Sequence, residues 1–186
     1  MDSAKRPVHP AASLVCGDGY RQAMTVSGLF VEVPGVLCDE AVTTLLPGVA
    51  AALARLKQRG VLIVAATDRI ALNEVMSARL RELTRGTLAC IYSAAGKPAS
   101  WTKPRPGMLL AAAREVGADL SVSWVIGTDA RDAVAAGQAG CAGAVLVGGA
   151  AVPTDDLGII VAAATDLADA PRVMIPRGGG CWHDQR

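Results

Sequence analysis

Apolar positions along the chain switch between a strand-like and a helix-like period, and the switches mark the elements. Residues 25–33, TVSGLFVEV, read as a strand. Between Pro47 and Gly60, Val49, Leu53 and Leu56 recur at helical spacing. Proline suits a helix start, where its missing N–H would have no partner, and Gly60 suits the stop. Residues 61–67, VLIVAAT, form an unbroken apolar run, the pattern of a strand covered on both faces. An amphipathic helix follows over 70–86, then a strand over 87–92 and a loop rich in Pro, Gly and Ser over 93–107. Beyond it come a helix over 108–118, a strand over 121–127, a helix over 130–140 and a strand over 143–149. Residues 153–170 offer a weaker strand and a short helix.

Strands that alternate with helices make βαβ units. The expected class is therefore α/β: three layers, doubly wound around a mostly parallel sheet. Residues 1–25 carry Pro7, Pro10, Gly17 and Gly19 without a sustained period and read as an irregular extension. Residues 26–172 read as one domain and 173–186 as a flexible tail. In such a sheet, ligands bind at the C-terminal ends of the strands. Four loops then form the candidate site, beginning near Glu32, Thr67, the Lys103 segment and Gly127.

Composition narrows the function classes. Apolar residues make up 52% of the 186, which argues against general disorder, and aromatics only 3%, so Ala, Val and Leu must fill the core. Eighteen basic residues nearly balance 17 acidic ones without a basic block, so no electrostatic footprint for nucleic acid is present. No apolar run approaches the roughly 20 residues of a membrane span, and the N-terminus lacks an apolar signal core. A cytoplasmic protein without a membrane partner is the expectation. Five cysteines, odd in number and without a C-x-x-C pair, point to reduced thiols.

The loops carry the candidate chemistry. Thr67 and Asp68 fit an anion cradle at a helix N-terminus, and equally fit the role of N-cap for the next helix. Lys103, held extended by Pro104, suits phosphate as a compact charge, or is a solvated surface lysine. Asp129 and Asp132, after a glycine turn, can hold magnesium, or cap a helix and favour its first turn. Trp101 and Trp124 fit either a pocket mouth or the core. Cys181, His183 and Asp184 in the glycine-rich C-terminus read as tail rather than metal site, and GDGY near Gly17 as a turn.

Taken in order, the four loops resemble the haloacid dehalogenase superfamily of phosphohydrolases. Within it they are most similar to the capless heptose-bisphosphate and histidinol-phosphate phosphatase branch. The likeness runs from about Leu29 to Val147. It is carried by the stretches from Pro47 to Thr67, from Lys103 to Gly127 (KPRPGMLLAAA and onward), and from Asp132 to Cys141 (DAVAAGQAGC). The resemblance implies a Rossmann-like sheet with little or no cap. It places the family's D-x-D-G-V loop on Glu32, Pro34, Gly35 and Val36. There the first Asp is the nucleophile and magnesium ligand, and the second the acid/base. It places the hydroxyl motif on Thr67, the phosphate-binding lysine on Lys103, and the fourth motif on Gly127, Thr128 and Asp132, so that Thr128 replaces a magnesium-binding Asp. The branch's zinc loop of Cys and His has no counterpart in residues 92–104.

The departures have chemical consequences. Glu32 keeps a carboxylate but displaces it by over ~1 Å, a misplacement able to cost ~100-fold. Pro34 has no proton to give, which removes general-acid catalysis worth ~10²–10⁴-fold, and no N–H for a phosphate-binding loop. Thr128 lacks a charge, which leaves Asp132 and Asp129 to hold magnesium weakly if at all. The expectation is a degenerate, phosphatase-like protein with no required cofactor and no zinc. Its pocket would bind a phosphorylated or anionic small molecule, or its surface a protein partner. Two alternatives remain. One is a repurposed enzyme with Glu32 as general base, aided by Asp129, Asp132, Cys38 or Asp39, although Cys38 reads more simply as an idle buried thiol. The other is a weak magnesium-dependent sugar-phosphate phosphatase.

Overall fold

The computed structural model describes residues 26–153 and 156–174. Six strands, β1 (Gly28–Val31), β2 (Leu62–Thr67), β3 (Leu88–Ser93), β4 (Trp124–Gly127), β5 (Gly143–Leu146) and β6 (Ile160–Ala163), form one sheet in the order β3-β2-β1-β4-β5-β6. Every pairing is parallel, so the sheet is wholly rather than mostly parallel. Four ten-residue helices connect it: α1 (Val49–Gln58), α2 (Glu74–Leu83), α3 (Gly107–Val116) and α4 (Ala130–Ala139). The chain winds outward from β1 to β3, returns past β1 to β4, and winds outward again to β6. The point of reversal lies between β1 and β4, where a crevice opens beyond the strand ends.

Alternation along each central strand builds the three layers. Leu29 and Val31 of β1, Ile63 and Ala65 of β2, and Trp124 and Ile126 of β4 pack into one core with Val49, Leu53 and Leu56 of α1 and Leu80 of α2. Phe30, Val64 and Val125, one position over, pack into a second core with Leu109 and Ala112 of α3 and Ala133 and Ala136 of α4. Small residues dominate α4, which lets that helix lie close to the sheet.

Differences from the sequence reading fall at element ends. β1 stops at Val31, and the chain leaves the sheet at Glu32, whose N–H still donates to the Ile126 carbonyl at 2.9 Å. α2 starts at Glu74 rather than near residue 70. Its cap is Asn73, whose Oδ1 accepts the Met76 N–H at 2.8 Å. The capping alternative for Thr67 and Asp68 is thereby corrected: both lie several residues before the helix. The last strand of the 143–149 segment ends at Leu146, because Gly148 and Gly149 are left-handed at φ 71° and 77°. Met174 is fully buried in the first core, so packed chain runs beyond the boundary read at residue 172. The features read at Gly17 and at Cys181, His183 and Asp184 lie outside the described residues. Among the described residues, no helix is long and apolar enough to cross a membrane.

Trp124, fully buried, is a core residue. Its ring lies over Gly143, its register partner on β5. A Cβ there would sit 2.4 Å from the indole and 2.7 Å from the Ile160 carbonyl. Gly143→Ala is therefore expected to lower the unfolding free energy by about 1–3 kcal/mol through overpacking. Urea denaturation of the variant checks this, and an unchanged midpoint would show that the ring has room.

Candidate functional site

The site is built at the switch point by residues at strand ends and helix starts. Glu32 follows β1, Thr67 ends β2, Asp132 lies in the first turn of α4, and Lys103 precedes α3. Glu32, Thr67, Lys103 and Asp132 are all buried, at 1%, 0%, 4% and 2% exposure. The structure brings them together around one ammonium group. Lys103 Nζ lies 2.5 Å from Glu32 Oε2, 2.6 Å from Asp132 Oδ1 and 3.4 Å from the Ala66 carbonyl. Of these oxygens, Glu32 Oε2 and the Ala66 carbonyl accept hydrogen bonds from the ammonium, and Asp132 Oδ1 faces it as an ion pair.

Each carboxylate is also held on its far side. Glu32 Oε1 accepts the N–H of the next residue, Val33, at 3.0 Å, and the Thr67 hydroxyl acts to lower the Glu32 carboxyl. Asp132 Oδ2 accepts the Thr128 and Asp129 N–H groups at 2.9 and 3.2 Å. Asp132 can fold back this far because residue 127 is glycine: a Cβ there would lie 2.2 Å from the carboxyl group. Burial pushes the Glu32 carboxyl above its ordinary range against the pull of Lys103. Burial alone would depress the Lys103 ammonium, but the Asp132 and Glu32 charges outweigh it and carry the group above its usual value.

Other candidates take different roles. The Asp68 side chain is buried. Its Oδ2 accepts the Lys103 backbone N–H at 3.0 Å and lies 3.6 Å from Arg131, while its Oδ1 is buried without a hydrogen-bond partner. Asp68 thus holds the lysine loop. Asp129 caps α4. It accepts the Arg131 N–H at 2.7 Å and a hydrogen bond from the Arg131 guanidinium at 3.1 Å. Although burial acts to raise it, those contacts hold its carboxyl below the ordinary range. Pro34 is buried in a tight turn, with Gly35 at φ 81° behind it. The Cys38 thiol is buried against the Val33 carbonyl and pushed up to about 12 by burial and then by Asp39, the state of an idle thiol. Trp101 stands outside the core, 5.6 Å from the Tyr92 ring, with the Lys97 ammonium over its face.

Two arginines at the mouth escaped the sequence reading. Arg69 donates to the Thr128 hydroxyl at 2.6 Å, and Arg131 joins Asp68 to Asp129. Their closeness to Thr67 and Asp132 in sequence was a usable signal. Where such long side chains reach is not set by spacing. Among the described residues, no group of three or more His, Cys, Asp or Glu is arranged as a metal site.

A family model for haloacid dehalogenase-like hydrolases matches residues 17–140, well over half of the chain. The chain belongs to that family. No curated protein matches its sequence. Among solved structures, the D,D-heptose 1,7-bisphosphate phosphatase of B. bronchiseptica, complexed with magnesium and phosphate, is 28% identical. It has a TM-score of 0.60, with 78% of this chain and 96% of that chain covered. A candidate HAD-like phosphatase from Mesorhizobium loti is 24% identical, with a TM-score of 0.62, covering 81% of this chain and 85% of that one. A HAD-superfamily hydrolase from Geobacter sulfurreducens, at 16% identity and a TM-score of 0.57, covers 77% and 97%. The last two speak for the fold alone. The heptose-phosphatase likeness agrees with the branch read from the sequence.

Removing the ammonium would leave Glu32 and Asp132 facing each other without a countercharge. Lys103→Met is expected to cost about 3–5 kcal/mol near neutral pH. The sign with pH follows from linkage. In the variant the Glu32 carboxyl, raised by burial, loses the lysine charge that pulls it down, so it titrates above its unfolded value and stability falls as pH rises through that window. The deficit relative to wild type should therefore be smaller near pH 5 than near pH 8. Urea titrations at the two values check this, and a deficit independent of pH would mean that the carboxylates do not face each other.

Proposed function

We propose that this chain is a haloacid dehalogenase-like protein that acts by binding and does not efficiently hydrolyse phosphate esters. One observation carries the reading: the buried position that the family pattern gives to the acid/base is Pro34. It has neither a proton to donate nor an N–H to offer a phosphate. The family's magnesium ion would have to be held by Glu32, Thr128 and Asp132. The Glu32 and Asp132 carboxylates already bind Lys103 and backbone N–H groups, and Thr128 is a neutral hydroxyl engaged by Arg69. This donor set does not fit a tightly held divalent cation. With three oxygens around the Lys103 ammonium, the inner pocket offers little to a phosphate. The balance between the two binding readings therefore tilts toward a protein partner over a phosphorylated small molecule.

A second reading is favoured by the 28% identity to a phosphatase complexed with magnesium and phosphate, together with the retained Glu32 carboxylate. It is weak metal-dependent turnover of sugar phosphates. Assays on sugar phosphates with magnesium separate the two. The wild type is expected at background. The combined variant Glu32→Asp, Pro34→Asp, Thr128→Asp is expected to gain at least the ~10²–10⁴-fold that general-acid catalysis supplies. Brisk wild-type turnover would overturn the binding reading.

A further inference from the structure

β3 is the outermost strand on its side of the sheet, so its outer edge has no partner strand among the described residues. Such an edge offers unpaired N–H and C=O groups to any extended chain, and a charge or a proline commonly guards it. β3, LACIYS, carries neither. Its register against β2 slips once, at Ala89, and runs regularly from Cys90 to Ser93.

An aromatic pair stands beside that regular half. The Tyr92 and Trp101 rings lie 5.6 Å apart and tilted by 41°. The other described aromatic residues, Phe30 and Trp124, are buried in the cores, whereas these two are partly exposed. Glu115 of α3 holds the pair from behind: one oxygen accepts the Tyr92 hydroxyl, and the other the Cys90 thiol at 3.6 Å. The cations around the pair are exposed and less engaged. The Lys97 ammonium stands 5.6 Å over the Trp101 face. Arg105 donates to the Ala99 carbonyl at 3.1 Å, in the short turn that carries Trp101. Arg81 is near enough for its charge to act on the Cys90 thiol. Among the described residues, no carboxylate forms an ion pair with any of the three. The opposite edge differs: β6 is flanked in sequence by Asp156, Asp166 and Asp169, with no aromatic residue nearby in the chain.

We propose that the outer edge of β3, with Tyr92 and Trp101 as its anchor, docks an extended acidic segment of a partner protein. The segment adds as a strand along Cys90–Ser93, sets an apolar side chain against the two rings, and places carboxylates on Lys97, Arg105 and Arg81. Main-chain hydrogen bonds and the rings supply affinity, and the cations select acidic over basic chains. This deepens the binding reading above and rests on it, since it names the chemistry of the partner.

The probe is a random peptide library displayed on phage and selected on immobilised wild type. Enriched peptides are expected to be acidic, with an aromatic or aliphatic residue among the acids. The strongest is resynthesised and titrated against folded wild type and variants. Trp101→Ala is expected to weaken it by roughly tenfold or more, and so is the double variant Lys97→Glu, Arg105→Glu. Val75→Glu, on the exposed start of α2, should bind as wild type. Bound peptide should slow hydrogen exchange of those Cys90–Ser93 amides that exchange fast in the free protein. If Trp101→Ala does not fold, the charge-reversed variant and the exchange data decide. No enrichment over a blank surface would overturn the proposal. So would enriched peptides that are neutral or basic, binding indifferent to the charge reversal, or unchanged exchange along β3. Concentration-dependent self-association of the wild type that Trp101→Ala abolishes would also overturn it, because a second copy would then take the edge. Such a failure leaves the absence of efficient phosphatase turnover untouched, and sugar-phosphate assays on the wild type decide that separately.

Discussion

One ammonium group shared by two buried carboxylates fixes the geometry at the switch point. Lys103 ties the end of β1 through Glu32, the start of α4 through Asp132 and the end of β2 through the Ala66 carbonyl. Taking three charges out of water costs several kcal/mol per ion, and only close pairing offsets that cost. The pairing in turn demands particular neighbours. Gly127 must lack a side chain for Asp132 to fold back, and Asp68 must hold the Lys103 backbone so that the ammonium arrives from the right side. The polar centre thus dictates residues around it as strictly as the apolar cores dictate theirs.

Cores and centre divide the work. The two apolar cores hold the sheet between α1 and α2 on one face and α3 and α4 on the other, but they would tolerate many polar arrangements at the strand ends. The family fold likewise hosts different sites, and membership says little about which chemistry a given member performs. In this chain the site is set by local contacts. A glutamate reaches further than an aspartate and collects donors of its own, a proline fills an adjacent turn position, and a threonine meets Arg69 across the mouth.

Much of this was legible in the sequence. Apolar runs such as 61–67 read as covered strands, and the helical spacing of Val49, Leu53 and Leu56 named the buried face of α1. The four loops and their order followed from the fold class. Element ends were less legible, because they depend on single hydrogen bonds. Asn73 rather than Thr67 or Asp68 caps α2, a choice the periodicity cannot express. The fate of Lys103 was not legible either. Its side chain could be read as solvated or as phosphate-binding, but not as surrounded by Glu32, Asp132 and Ala66, since those contacts join residues far apart in the chain. Arg69 and Arg131 were missed for the same reason.

The central claim is that Glu32 occupies the inner donors of the pocket. The most direct measurement is a crystal structure of the wild type grown with phosphate and magnesium. The account predicts density for the Glu32 carboxylate against Lys103, Thr67 and the Val33 N–H, with neither phosphate nor metal between them. Phosphate on Lys103 with the Glu32 side chain turned onto a magnesium ion would contradict it.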